Sequence, residues 1–315
     1  MDRESIEAYL ERFVGYASGA TTIALLAVAD RSGLLAWLGE HESGTVEEIA
    51  AGAELDARYV REILSGLAAA GTVGFEPDGQ VFTLPPEHAL FLASELSPYF
   101  MGGWLDIIPS VMAQIDGVAY ATRHGGGVGF EEFGKGLIRG IDRGNAPAQR
   151  AFLTSRWLPG VPGLVDRLES GIRTADVGCG TGNVALIIGE AYPRSEIVGY
   201  DISEESLAIA RSRAESLDNV SFAEYPVEAI PLDPENDLVL AFDVIHDLVD
   251  PLAGLIRIRE SLAEGGQFLL MEPNASSRLE ENLHEGGALL YGMSALHCMT
   301  QSLARDGAGL GSGWG

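Results

Sequence analysis

A short list of residues in the second half of the chain has the types and spacing for chemistry. Asp176, Gly178, Gly180 and Gly182 fall in the run Asp176-Val177-Gly178-Cys179-Gly180-Thr181-Gly182, Asp201 follows further on, and His246-Asp247 stand beyond that. A glycine turn lets the backbone bend sharply and lets a ligand lie against it. An acid about 20 residues past such a turn can accept hydrogen bonds from two ribose hydroxyls. A histidine beside a carboxylate can take a proton near neutral pH.

The elements around these residues place them. Ile172 to Val177 reads as a strand, the glycines as a turn, Asn183 to Ala191 as a helix, and Ser195 to Tyr200 as a strand ending on Asp201. This is the first half of a Rossmann-like unit. The glycine spacing is G-x-G-x-G, not the G-x-G-x-x-G that seats a pyrophosphate on a helix N-terminus. Asp176 would repel a pyrophosphate but suits a ligand carrying an ammonium and a sulfonium. S-adenosylmethionine (SAM) has both charges, a ribose and no phosphate. The stretch from Asp176 to Gly182 resembles the D-x-G-x-G-x-G motif of class I SAM-dependent methyltransferases.

Further strands are read at Val220 to Glu224, Asp237 to Phe242 and Gln267 to Met271, with helices at Ser203 to Ser216 and Pro251 to Ala263. Alternating strand and helix predicts an α/β fold with a parallel, Rossmann-like sheet of five readable strands and right-handed crossovers. Ligands in such sheets sit at the carboxyl ends of the strands. The run Phe242-Asp243-Val244-Ile245-His246-Asp247-Leu248-Val249-Asp250 leaves the fourth strand there. It resembles the H-D-W/x-x-D segment of plant-type and bacterial small-molecule O-methyltransferases, with Leu248 where many have Trp. The resemblance implies His246 as general base, with Asp247 beside it to fix its tautomer. It also implies a cofactor surface made of Asp176, Gly178, Cys179, Gly180, Gly182, Asp201, Ile202, Val227, Phe242 and Asp243. A phenol or enol attacks an electrophilic methyl better as its anion, which gives a base its purpose. Asp250, before Pro251, reads as a helix cap.

Two departures from the family pattern stand out. Pro226 occupies the place where an acid commonly reads adenine, leaving Glu228 as the nearby carboxylate. The family's closing C-terminal hairpin is not readable, and the G-x-x-W-G ending reads as a C-terminally truncated member. The last strand is then expected at an open edge of the sheet.

Ahead of this domain, Thr45 with Glu48 forms a capping-box helix start and Asp56 caps a helix from Ala57 to Ala70. Two short β runs joined by Pro77-Asp78-Gly79 follow. Together they predict a winged helix over residues 1–90. Residues 91–158 read as a helical connector or lid, and 159–315 as the SAM-binding domain. Ser5 to Tyr16 and Thr21 to Leu38 read as helices, and the apolar run Ile23 to Val28 suits a homodimer face. The winged helix could instead bind DNA, with Arg58 and Arg61 on its recognition helix. A SAM-responsive or vestigial transcriptional regulator is therefore the alternative to an enzyme.

The chain has 315 residues with 20 basic and 46 acidic side chains, a formal net charge of -26. That excess disfavours nucleic acid and anionic lipid as partners. No apolar run reaches the ~18 residues of a membrane span, and the N-terminus does not read as a signal peptide. The expected setting is the cytoplasm and the expected partner a small-molecule substrate. Cys179 and Cys298 make no metal-ligand spacing, so no metal is expected. His297 and Cys298 lie on a helix-like run, Leu289 to Leu303, where core packing is the expected role of Cys298 and the methionines and His297 is a candidate to face substrate.

Overall fold

The structure is a computed structural model and describes residues 2–233 and 235–313. The final Trp and Gly of the G-x-x-W-G ending lie outside the described residues. The chain divides into two compact units, residues 1–109 with 139–147, and residues 110–138 with 148–315. Residues 91–158, read above as one connector, are shared between the two.

The first unit begins with α1 (Arg3–Arg31), capped by the Asp2 carboxylate, and α2 (Leu34–His41). The expected break after Tyr16 is absent; α1 runs on through Gly15 and Gly19. It ends instead at Gly33, whose left-handed φ of 81° starts α2 on a new axis. There follow β1 (Ser43–Thr45), α3 (Val46–Gly52), α4 (Ala57–Ala69), β2 (Gly74–Glu76), β3 (Val81–Thr83) and α5 (Pro86–Leu92). Thr45 and Glu48 close a reciprocal capping box on α3, and the Asp56 carboxylate caps α4. The three strands pair antiparallel in the order β1-β3-β2, which completes the wing. The three-residue β1 carries no alternation long enough to be read from sequence.

Ile23 to Val28 does not form a free apolar face. Leu26 and Ala27 are buried in the winged-helix core, and Ile23 and Leu25 pack against it. Val28 is exposed, but the other exposed large apolar side chains of α1 lie earlier: Ile6, Tyr9, Leu10, Phe13, Val14 and Tyr16. Contrary to the reading of the bare sequence, α1 is long and apolar enough to cross a membrane by length and composition alone, with an 18-residue window of mean hydropathy 1.4.

Helix α6 (Trp104–Met112) carries Asp106, which is fully buried. It accepts hydrogen bonds from Arg31, Arg139 and Arg143, and Arg143 also binds Asp30 and Glu95. Burial pushes the Asp106 carboxyl up, but the guanidinium bonds outweigh it and hold the group ionised. Cutting any one of these partners from a buried charge costs more than an exposed pair would.

The second unit contains α7 (Ile115–His124), part of α8 (Gly134–Phe152), α9 (Leu164–Ser170), β4 (Arg173–Val177), α10 (Asn183–Ala191), β5 (Glu196–Asp201), α11 (Glu204–Arg213), β6 (Val220–Glu224), β7 (Asn236–Phe242), α12 (Pro251–Ser261), β8 (Leu262–Met271), α13 (Glu285–Met293) and α14 (Met299–Leu303). A π-helical turn, Ser294–Cys298, joins α13 to α14. The five strands are parallel in the order β6-β5-β4-β7-β8. Parallel strands need cover on both faces. Two apolar clusters supply it: Leu164, Val184, Ile188 and Leu240 belong to one, Val177, Val239, Ile245 and Ile258 to the other. Among the described residues β8 is paired on one side only, as its place in the sequence led us to expect.

Candidate active site

The strand order sets the carboxyl ends of β4, β7 and β8 side by side, with neighbouring strands ~4.8 Å apart. Asp176 comes from the end of β4, Asp243 and His246 from the segment after β7, and Glu272 from just beyond β8.

The glycine loop after β4 is bent as its residue types require. Gly178, Gly180 and Gly182 have φ of 69°, 54° and 83°. A Cβ on Gly178 would lie 2.2 Å from Val244, and one on Gly182 would lie 2.6 Å from Phe222. A Cβ on Gly180 would meet no protein atom within 4 Å, so the loop presents bare backbone to open space there. Asp201 steadies the loop: its Oδ2 accepts the Gly180 amide at 2.8 Å, and its Oδ1 accepts the Ser203 amide at 2.8 Å. A carboxylate has roughly four lone-pair sites, so it retains acceptor capacity for a ligand.

Asp176 is 2% exposed, and its Oδ2 has no hydrogen-bond partner. Burial raises its carboxyl to about 7, and the negative Asp201 adds to this against a bond from the Ala185 amide. A buried, unpaired carboxylate is costly unless a cation meets it. The open loop and the orphaned oxygen together fit a cationic ligand with a ribose.

His246 is 2% exposed, on a 3₁₀ turn at Ile245–Asp247. Its Nδ1 is bonded to Glu272 Oε2, while Glu272 Oε1 accepts the Ile245 and Val244 amides at 2.7 and 3.2 Å. Its Nε2 faces Asp247 Oδ1 at 3.3 Å and Asp243 Oδ1 at 3.9 Å. Burial lowers the basicity of the ring. Bonds to Cys298 and Glu272 and the charge of Asp247 overcome that and raise it to about 11. Burial in turn raises the Asp247 carboxyl to about 6.

The orienting carboxylate on Nδ1 is thus Glu272, not the adjacent Asp247. One turn of 3₁₀ helix cannot carry Asp247 round to the Nδ1 edge of its neighbour. Glu272 was missed, although the strand-end rule that singled out His246 also points to the first charged residue after β8. Asp243 is a non-glycine residue with φ of 61°, and its amide donates to Met271 O at 2.7 Å. Ile202 is exposed, Val227 is buried, and Phe242 meets Trp157 edge-on at 6.1 Å between ring centroids. Glu228 accepts the Asp250 amide at 3.2 Å, and Asp250 caps α12 by accepting the Ala253 amide at 2.9 Å.

His297 is buried against Phe133, ring edge to face at 4.9 Å, and its Nδ1 has no partner. Burial and the charge of His246 lower its basicity to about 4 and keep it neutral. In the winged helix, Arg61 pairs with Glu47 at 3.1 Å and Arg58 pairs with Glu62, all four side chains being exposed.

Known proteins match both halves. A family model described as a methyltransferase domain matches residues 168–306, and one described as an Rv2258c-like winged HTH domain matches residues 20–94. The chain therefore carries a methyltransferase domain behind a winged helix. The chain is 35% identical over 117 residues to a trans-aconitate 2-methyltransferase of Methylobacterium nodulans, spanning 37% of this chain and 43% of that protein. The chain thus spans less than half the length of this curated relative. Among solved structures, human N-acetylserotonin methyltransferase in complex with SAM superposes with a TM-score of 0.65 at 21% identity, covering 94% of this chain and 86% of that one. CalO1, a methyltransferase in calicheamicin biosynthesis in its SAH-bound form, gives 0.60 at 20% identity, covering 99% and 89%. At such identities the likeness is one of fold.

Proposed function

We propose that this chain is a SAM-dependent methyltransferase acting on an oxygen of a small molecule. The observation that carries the reading is the orphaned, buried Asp176 Oδ2 beside an open glycine loop, with the neighbouring strand end leading to a histidine held by a partly buried glutamate. Asp176 would meet the ammonium of SAM. Asp201 would accept from its ribose, and Gly178, Cys179, Gly180 and Gly182 would line its body. Ile202, Val227, Phe242 and Asp243 would surround the rest. When bound, SAM supplies an electrophilic methyl that needs little further activation.

The chain's own residues then do two things. They hold the acceptor oxygen in line, which removes much of the entropic cost of bringing two molecules together. They also manage its proton. Glu272 fixes Nδ1 as the donor edge of His246, so Nε2, which faces Asp247 and Asp243, is the nitrogen that would meet an acceptor. Three carboxylates around one imidazole make His246 a stronger base than free imidazole. Neutral His246 takes the proton of an acidic hydroxyl; protonated, it holds an acceptor that arrives as an anion. The second case favours a carboxylate acceptor beside the hydroxyl one.

The same reading makes the protein a homodimer in the cytoplasm, with the exposed apolar side chains of α1 as the dimer face and no nucleic-acid partner. Incubation with methyl-labelled SAM and a panel of phenols, enols and carboxylic acids, followed by mass spectrometry, tests the activity. A labelled product lost in His246→Ala supports it; labelled product formed equally well by His246→Ala removes the histidine from the mechanism.

A further inference from the structure

We propose that His246 Nε2, Asp247 Oδ1 and Cys298 Sγ form a binding site for one thiophilic divalent cation of the zinc type. The spacing of the cysteines gives no hint of this, because the π turn brings Cys298 back to a histidine far earlier in the chain. The three donor atoms lie within 4.8 Å of one another. Nε2 and Oδ1 are 3.3 Å apart. Zinc bonds nitrogen and oxygen at about 2.0–2.2 Å, so two ligands of a tetrahedral ion stand roughly 3.3–3.6 Å apart. The pair is already at that separation.

The surroundings suit a metal. His246 gives its Nδ1 edge to Glu272, which two backbone amides hold in place. A carboxylate on the far nitrogen fixes the tautomer and strengthens a ligating imidazole. Asp247 Oδ1 is buried with no hydrogen-bond partner. Among the described residues, His246 is the sole ion-pair partner of Asp243, Asp247 and Glu272, so the cluster is short of positive charge. A thiolate in the donor set selects zinc-like ions over magnesium or calcium. The group formed by Asp243, His246 and Glu272 is also close-set, but both Glu272 oxygens are already engaged and Asp243 is exposed.

Binding would release the thiol proton of Cys298 and the proton on His246 to solvent, leaving thiolate, imidazole and carboxylate on the ion. Three protein ligands leave a fourth position for water. An ion on Nε2 takes the lone pair that proton transfer needs, so the metal-bound form is a resting form.

Titration of the metal-free full chain with Co²⁺ tests this without methyl donor or acceptor, and so stands apart from the methyltransferase reading. One Co²⁺ per chain should give a near-ultraviolet thiolate-to-cobalt band that zinc removes. The band should persist in Cys179→Ala and vanish in Cys298→Ser, and Glu272→Gln should weaken binding roughly 10–100-fold. Zinc should raise the melting temperature of the wild type but not of Cys298→Ser, which separates lost ligation from lost folding. No thiolate band in the wild type, or one that survives Cys298→Ser, overturns the site.

Discussion

Glu272 binds His246 Nδ1 with one carboxylate oxygen and the Ile245 amide, at 2.7 Å, with the other. One side chain thus fixes both the ring and the backbone that carries it. Glu272→Gln should keep the shape but lose the charge, lowering kcat on the order of 10²-fold with little change in SAM affinity. Steady-state kinetics checks this; an unchanged kcat would mean that His246 needs no such partner.

Asp176 weighs on stability wherever no cation meets its buried carboxylate. Its folded carboxyl stands at about 7 against an ordinary 3.8. The folded state therefore holds this proton more tightly than the unfolded state. The penalty is absent below the ordinary carboxylate range, grows as pH rises toward 7, and is complete above it. Asp176→Asn should melt higher than the wild type at about pH 8, by on the order of a few kcal/mol, and alike at about pH 4. The same variant should bind SAM less tightly. Thermal melts across pH check the sign: a variant less stable than the wild type at high pH would refute the account of an unpaired carboxylate.

The parallel sheet and the glycine loop were legible because each is local. Strand, turn, helix and strand follow one another from Arg173 to Asp201, and the helix caps Asp56, Ser203 and Asp250 stand beside the amides they bind. The rest of the site is made by contacts far apart in sequence. Glu272 reaches His246 only because β8 pairs with β7, and Cys298 arrives only through a π turn that no periodicity announces. The single helix α1 was misread for a different reason: its interior glycines cost helix stability without forcing a break, whereas Gly33 takes a conformation open chiefly to glycine.

The edge strand offers a test of the sheet order. β4 lies between β5 and β7, while β8 pairs with β7 alone among the described residues. Amides of Gln267 to Met271 should exchange faster than those of β4. Equal protection in native-state hydrogen exchange would mean that another chain or segment covers β8.

The most direct test of the whole account is calorimetric titration of the purified chain with SAM. We predict saturable one-to-one binding that Asp201→Ala weakens by ~1.5–3 kcal/mol, through lost charge-assisted hydrogen bonds. No heat and no thermal shift at millimolar SAM would contradict it.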